Sequence, residues 1–268
     1  MIVVRLIGGL GNQLFQYALG RRVALRHGTE LKLDLWHFRE YKLHAYALSA
    51  LQITAGIAYP PEIAGLPEVK EPHLHFAPEI LDVPDGTYLK GYWTTEKYFL
   101  PIRDHLLAEF QVRTPLQGRD LSLAARMGQT ESVSLHIRRS DYVPGTYSDQ
   151  ILEPCPLDYY DRAVSALTRQ VQNPEFFIFS DDPGWVREHL KLPYSMTLVD
   201  HNTAETNYED LRLMSLCRHN IIANSTFSWW GAWLNRHPGK VVIGPAKWFT
   251  HRARNTDKDI VSDAWIRV

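Results

Sequence analysis

The stretch Ile2–His27, IVVRLIGGLGNQLFQYALGRRVALRH, decides how the rest of the chain is read. Ile2–Ile7 is mostly apolar and β-branched, a composition that suits a buried strand. Gly8-Gly9-Leu10-Gly11-Asn12 follows as a tight glycine turn. From Gln13 to His27 apolar residues recur at helical spacing: Leu14, Phe15, Ala18, Leu19, Val23 and Leu25. Strand, glycine turn and helix open a βαβ unit. The opening carries Arg5 and runs straight into glycines, with neither a basic leader region nor a small-residue cleavage site, so it does not read as a signal peptide.

Outward from that unit, Glu30–Leu35 reads as the next strand, Thr87–Tyr92 as another, and Tyr98–Phe110 as a helix. Trp36–Glu71 carries little signal, and Pro60, Pro61 and Pro67 break any long helix there. The second half restarts the alternation. Strands are expected at Ser132–Ile137, Glu175–Phe179, Thr197–Val199, Asn220–Ala223 and Lys240–Ile243. Helices are expected at Pro156–Val171, Trp185–Leu190, Asn207–Arg218 and Ser228–Arg236. Alternating elements imply a parallel sheet in each half. The expectation is an α/β protein of two lobes, residues 1–120 and 121–268, with the boundary in the polar stretch Arg113–Glu131.

Composition narrows the function classes. Twenty-nine basic against thirty acidic residues leave a net charge of −1, so bulk nucleic acid or an anionic membrane is a poor partner. Any bound anion must be met by local groups. Two cysteines, Cys155 and Cys217, are too few for a disulfide framework and lack metal-ligand spacing, which points to a reducing compartment. No segment offers the ~18 uninterrupted apolar residues of a membrane-spanning helix. Eight Trp and thirteen Tyr supply rings for stacking on sugars or bases, or for packing cores.

In open parallel sheets ligands bind beyond the carboxyl ends of the strands. Four polar clusters fall at such places. Gly8–Gln13 lets backbone amides approach a ligand at a helix N-terminus, though it is neither a dinucleotide fingerprint nor a P-loop; a bare turn is the alternative. His136-Ile137-Arg138-Arg139-Ser140-Asp141-Tyr142 puts two arginines at a strand end, where Arg138 could fork onto a diphosphate and Asp141 hold an arginine. A purely structural Arg–Asp network is the rival. Ser180-Asp181-Asp182 could accept N–H groups from a base edge or ribose hydroxyls, or simply cap the helix after Pro183. Asn224-Ser225-Thr226-Phe227-Ser228 offers hydroxyl and amide donors to a phosphate, with Trp229, Trp230 and Trp233 read as core. His73-Leu74-His75 has ligand-like spacing without partners, Asp257-Lys258-Asp259 reads as a solvated turn, and Cys155 has no basic neighbour to make it a nucleophile.

Taken together, Gly8-Gly9-Leu10-Gly11-Asn12-Gln13-Leu14-Phe15-Gln16-Tyr17-Ala18, the cluster His136–Tyr142, and Asn224-Ser225-Thr226-Phe227-Ser228-Trp229-Trp230-Gly231-Ala232 resemble the α-1,2-fucosyltransferases, which build bacterial O-antigens and related surface glycans and animal blood-group-type structures. The motifs span nearly the whole chain in the expected order. Ser140 stands where many members have glycine, a departure that leaves both arginines and Asp141 in place.

The resemblance implies a GT-B fold, two Rossmann-like lobes with parallel sheets facing across a cleft. The acceptor would lie on the N-terminal lobe and GDP-fucose on the C-terminal one. It further implies inversion at the anomeric carbon with no cofactor and no required metal. Arg138 would contact the diphosphate with Arg139 beside it, His136 and Asp182 would hold the guanosine, and Ser225, Thr226 and Ser228 would serve the phosphate. Gly11 and Asn12 would reach donor or acceptor from the N-terminal loop. For the base, Asp149, Glu153 and Asp141 are candidates, and an Asp141 already committed to an arginine would be a poor one. The expected activity is transfer of L-fucose to the 2-hydroxyl of a terminal β-galactoside by a cytoplasmic enzyme, with peripheral contact to lipid-linked glycan at the inner membrane face left open. Two rivals remain: a nucleotide-sugar transferase of different linkage, and a nucleotide-sugar or glycan-binding module without turnover.

Overall fold

The computed structural model describes residues 1–41, 43–139, 141–142, 151–249 and 257–268. It divides into two units, Met1–Thr114 with Thr256–Ser262, and Pro115–Asn255 with Asp263–Val268. The division falls ahead of the expected 120/121 boundary because a helix begins at Gly118, and the return segment near the C-terminus groups with the first unit.

The first unit holds β1 (Ile2–Arg5), α1 (Leu10–His27), β2 (Leu31–Asp34), β3 (Gly56–Ile57), α2 (Pro60–Ile63), β4 (Glu68–Lys70), β5 (Tyr88–Lys90) and α3 (Arg103–Glu109). Its strands are parallel in the order β3-β2-β1-β5-β4. The helix α1 starts three residues earlier than the spacing suggests, with Gly9 at its N-cap, so Gly11 and Asn12 lie in its first turn rather than in a loop. Gly8 takes φ +76°, the left-handed conformation that glycine adopts without steric cost. Gly20 lets α1 lie close on the sheet, where a Cβ would come within 2.4 Å of Val4 Cγ2. The helix expected over Tyr98–Phe110 is two 3₁₀ turns leading into the shorter α3, since Pro101 interrupts its start.

The second unit holds α4 (Gly118–Gln129), β6 (Glu131–Ile137), α5 (Leu157–Thr168), β7 (Pro174–Ser180), α6 (Pro183–His189), β8 (Met196–Val199), α7 (Asn207–Leu216), β9 (His219–Ile221), α8 (Thr226–Leu234), β10 (Val242–Gly244) and β11 (Ile266–Arg267). All pairings are parallel, in the order β11-β10-β9-β6-β7-β8. Read from β8, this is the Rossmann winding, and its direction reverses between β6 and β9. Apolar residues pack on both faces of this sheet, with Ser134 and His136 on β6 and Asn220 on β9 as buried polar residues among them. Val133, Leu135 and Ile137 pack with α5 and α6 on one side, and Phe177 and Phe179 pack with α4 and α7 on the other. Trp229, Trp230 and Trp233 are buried, and Gly231 lets α8 close on Met214, whose Cβ would lie 2.8 Å from an added Cβ.

Candidate active site

The reversal of strand order sets the site. Ile137 and Ser180 are register partners at the ends of β6 and β7, so the residues that follow them emerge side by side. Arg138 Nε donates to Asp141 Oδ1 at 2.8 Å and pairs with Asp181 Oδ2 at 3.2 Å. Both contacts use Nε, and neither terminal nitrogen of Arg138 is engaged among the described residues. Burial works against the Arg138 charge, but Asp181 and Asp141 outweigh it and push its pKa up. This geometry holds the guanidinium through Nε, and the planar pair of terminal N–H donors of such a group matches an anionic oxygen pair.

Asp181 does more than pair with Arg138. Its Oδ1 accepts the backbone N–H of Arg139 at 2.9 Å, which ties the β6 loop to the β7 tip. The resemblance implies guanosine contact for Asp182, and this neighbouring carboxylate makes its own contacts. Asp182 Oδ1 accepts Trp185 N at 3.0 Å as the N-cap of α6, and Oδ2 accepts Arg139 Nε at 3.4 Å. The capping alternative therefore describes its carboxylate, and the Arg139 guanidinium lies 4.0 Å over the Trp185 ring. The signal for Asp181 was present in the Ser-Asp-Asp tip, but only the register of β6 against β7 tells the two aspartates apart.

His136 sits on β6 at 4% exposure, its ring 5.8 Å from that of Phe227. Burial, with the Arg138 charge near it, pushes its pKa down to about 3, so it stays neutral. Its Nδ1 has no hydrogen-bond partner among the described residues. A shielded neutral imidazole with an unspent nitrogen suits a polar edge such as that of a base.

The third loop follows β9. Tyr142 Oη donates to Asn224 O at 3.2 Å, joining the β6 and β9 loops across the reversal. Asn224 Nδ2 donates to the carbonyls of Glu153 and Trp248, each at 3.0 Å, so this asparagine staples loops. Ser225 is the N-cap of α8 but does not cap it with its side chain. Ser228 is buried in α8, and its hydroxyl donates back to Ser225 O at 3.3 Å. The first-turn amides of α8 are further donors that the junction can offer an anion. Thr226 occupies the first position of that turn, half-buried.

Of the proposed bases, Asp141 is committed to Arg138. Asp149 lies outside the described residues, as does Ser140. Glu153 is exposed and lines a cavity of about 320 Å³ together with Cys155, Arg162, Asn224 and Lys247. Burial pushes the Cys155 thiol up to about 12, which leaves it no thiolate character at neutral pH.

A further polar network lies between α4 and α7. Asp120 Oδ1 accepts from His201 Nε2 at 2.8 Å and from Asn202 Nδ2 at 3.3 Å, and Asn202 Nδ2 also donates to Asp210 Oδ1 at 2.7 Å. Burial raises the Asp210 carboxyl to about 6. Nothing in the spacing of these residues announces the network, because it joins positions far apart in the chain.

The first unit treats its motif differently. Gln13 Nε2 donates to Gly8 O and Ala45 O at 2.9 and 2.8 Å, and its Oε1 accepts Ala47 N at 2.9 Å. Gln16 links Ile7 N to Gly91 O. The buried glutamines of the motif thus hold three loops together, a role the sequence reading did not assign. Gly11 is buried and Asn12 half-buried in α1. His73 and His75 stack on each other at 4.4 Å, and no group of three or more potential metal ligands occurs among the described residues. Asp259 is not a solvated residue: it is buried, Oδ2 accepts Phe76 N at 2.9 Å, and Oδ1 pairs with Lys97 Nζ at 2.5 Å. Among the described residues no helix is long and apolar enough to cross a membrane.

Two Rossmann-like lobes of parallel sheet are the architecture of the GT-B glycosyltransferases. A solved structure of a mutant of Arabidopsis thaliana FUT1 in complex with GDP shares the fold at a TM-score of 0.51 and 12% identity, over 90% of this chain and 69% of that one. The family model for glycosyl transferase family 11 matches residues 78–268. An alpha-1,2-colitosyltransferase of Escherichia coli is 32% identical over 292 residues, covering 100% of this chain and 99% of that protein. Galactoside alpha-(1,2)-fucosyltransferase 1 of Homo sapiens is 24% identical over 85% of this chain and 63% of the human protein. The chain belongs to glycosyl transferase family 11.

Proposed function

We propose that this glycosyltransferase moves L-fucose from GDP-fucose to the 2-hydroxyl of a terminal β-galactoside, in α-1,2 linkage, by a single inverting displacement that needs no metal. The observation that carries the reading is Arg138, oriented through Nε by Asp141 and Asp181 at the end of β6, with the β6 loop tied to the β9 loop that precedes α8 through Tyr142 and Asn224. Breaking the bond between the anomeric carbon and the phosphate oxygen leaves negative charge on the departing diphosphate. A fixed guanidinium and preoriented amides stabilise that charge as it develops, each worth on the order of 2–4 kcal/mol. Inversion follows when the acceptor oxygen attacks the face opposite the leaving phosphate. Its proton has to leave as the new bond forms, and the commitment of Asp141 to Arg138 makes it an orienting group rather than the base.

The α-1,2-colitosyltransferase relative, 32% identical over the full chain, favours a second reading in which the sugar is colitose, fucose without its 3-hydroxyl. One assay addresses both. GDP-fucose or GDP-colitose is incubated with lactose, with and without EDTA, and the product linkage is read by NMR. An α-1,2-fucosyl product formed under chelation is expected. A product from GDP-colitose alone would replace the donor, and GDP-fucose that neither binds nor reacts would remove the fucosyl reading.

A further inference from the structure

We infer that a pocket on the first unit's sheet is a carbohydrate subsite that takes the terminal sugars of a galactoside acceptor. This rests on the transferase reading above, and its test is arranged so that the two can fail separately.

Parallel sheets are ordinarily apolar on both faces because helices cover both. One face of this sheet breaks that pattern at the carboxyl end. Along β1 the side chains of Met1, Val3 and Arg5 share a face. Met1 and Val3 pack with Ala58, Tyr88, Ile63 and Leu66. The next position, Arg5, stands in register with Asp34 on β2. Asp34 is 5% exposed, its Oδ1 accepts Trp36 N at 2.8 Å, and the Tyr88 hydroxyl donates to its Oδ2. Glu68 pairs with Lys90 on the neighbouring strands. The Nε of Arg5 is shut off from solvent and has no hydrogen-bond partner among the described residues.

Over this polar region lies a cavity of about 550 Å³ whose lining includes Asp34, Trp36, Arg39, Tyr59, Ile63 and Glu68. Trp36 is 52% and Tyr59 66% exposed, so two large rings stand at its rim facing water. The Arg39 guanidinium lies 3.9 Å from the Trp36 ring centroid. The volume falls in the range of small-ligand sites. The lining sets Arg39 against Asp34 and Glu68, with Arg5 beside Asp34 and Lys90 paired to Glu68. No single sign of charge dominates, which disfavours a strongly charged ligand and suits one rich in neutral hydroxyls. A β-galactoside fits both features. Its axial 4-hydroxyl leaves one ring face lined by C–H groups, which pack on an indole or phenol, while the remaining hydroxyls meet charged donors and acceptors.

The test uses the intact chain, with lactose binding read by saturation-transfer NMR and GDP-fucose binding by calorimetry. The variants are Trp36→Ala, Tyr59→Ala and Arg138→Ala. Because Trp36 and Tyr59 are exposed, their truncation spares the core. Trp36→Ala and Tyr59→Ala should each weaken lactose at least fivefold, raise the acceptor KM about tenfold, and move the GDP-fucose Kd less than twofold. Arg138→Ala should do the reverse, losing GDP-fucose and keeping lactose. Unchanged lactose affinity in Trp36→Ala and Tyr59→Ala, or no lactose signal in the unmodified chain, overturns the subsite. Lactose binding that depends on Trp36 in a chain that ignores GDP-fucose keeps the subsite and overturns the fucosyl reading.

Discussion

The second unit carries the charged groups of its site on loops past the ends of β6 and β7, whereas the first unit lets charged groups onto the strands themselves. In the second, β6 and β7 bury apolar residues on both sides, with Ser134 and His136 the neutral polar residues toward the end of β6, and Arg138, Arg139, Asp141 and Asp181 appear only after the strands end. In the first, Arg5, Asp34 and Lys90 are strand residues, and the loops after β1 and β5 are occupied by Gln13 and Gln16. The difference teaches where each unit can do chemistry. Charged loops at the end of a buried strand pair position a cation against developing charge, because burial strengthens the interaction. A sheet with a wet face holds a neutral, hydroxyl-rich ligand by many weak contacts.

The largest expected effect falls on the charged tip. Arg138→Ala should lower kcat by about 10²–10³-fold, the usual loss when one preoriented donor to developing charge is removed. Circular dichroism should show the fold retained, and Arg138→Lys, which keeps the charge but not the fork, should recover only part of the rate. Near-normal turnover by Arg138→Ala would erase the contrast between the units. Asp181→Asn tests the orienting contact at the next level down. It should cost about tenfold to a hundredfold in kcat, the scale of a small misplacement of a catalytic group, while Asp182→Asn, an N-cap change, should lower stability more than rate.

Packing gives the next test, because both units rely on a glycine for close contact. Gly20→Ala should destabilise the first unit by about 1–3 kcal/mol, since the added Cβ meets Val4 and Leu31 side chains. Gly231→Ala should do the same in the second unit against Met214. Chemical denaturation of each variant reads the two costs separately.

The smallest effect is a pH dependence in the second unit. The Asp210 carboxyl is raised to about 6 by burial, so its folded form prefers the proton. The stability it contributes is complete below the ordinary aspartate range and is lost as pH rises through about 6. Asp210→Asn keeps an acceptor for Asn202 and removes that loss. The variant should therefore be more stable than the parent at pH 7.5, by on the order of 1 kcal/mol, with the gap closing by pH 4. A thermal-melt series across that range checks it, and equal melting temperatures at pH 7.5 would show that solvent reaches Asp210 freely.

Much of the second unit was legible because its signals are local. Its strands show as an alternating run in β6 and an apolar run in β7, and Arg138, Arg139 and Asp141 follow β6 directly. The helix α4 was not legible: it lies in a polar stretch, and only Leu123 and Met127, one turn apart, are buried. In the first unit β3, β4 and α2 are two to four residues long, too short for any period to register. Asp259 looked solvated because its partners, Phe76 and Lys97, are far away in sequence.

The sequence by itself determined the alternation of strands and helices, the two-lobed α/β class and the loops where charge would gather, which follow from periodicity and short-range order written in neighbouring residues. The family came separately, from the resemblance of the motifs Gly8–Ala18, His136–Tyr142 and Asn224–Ala232. Only the tertiary structure decided that Asp181 joins Asp141 in orienting Arg138, that Asp182 caps α6, and that a polar sheet face lies under Trp36 and Tyr59. Each of those depends on strand register or on contacts between distant segments. A shift of one residue in register exchanges the faces of a strand, and composition is blind to that exchange.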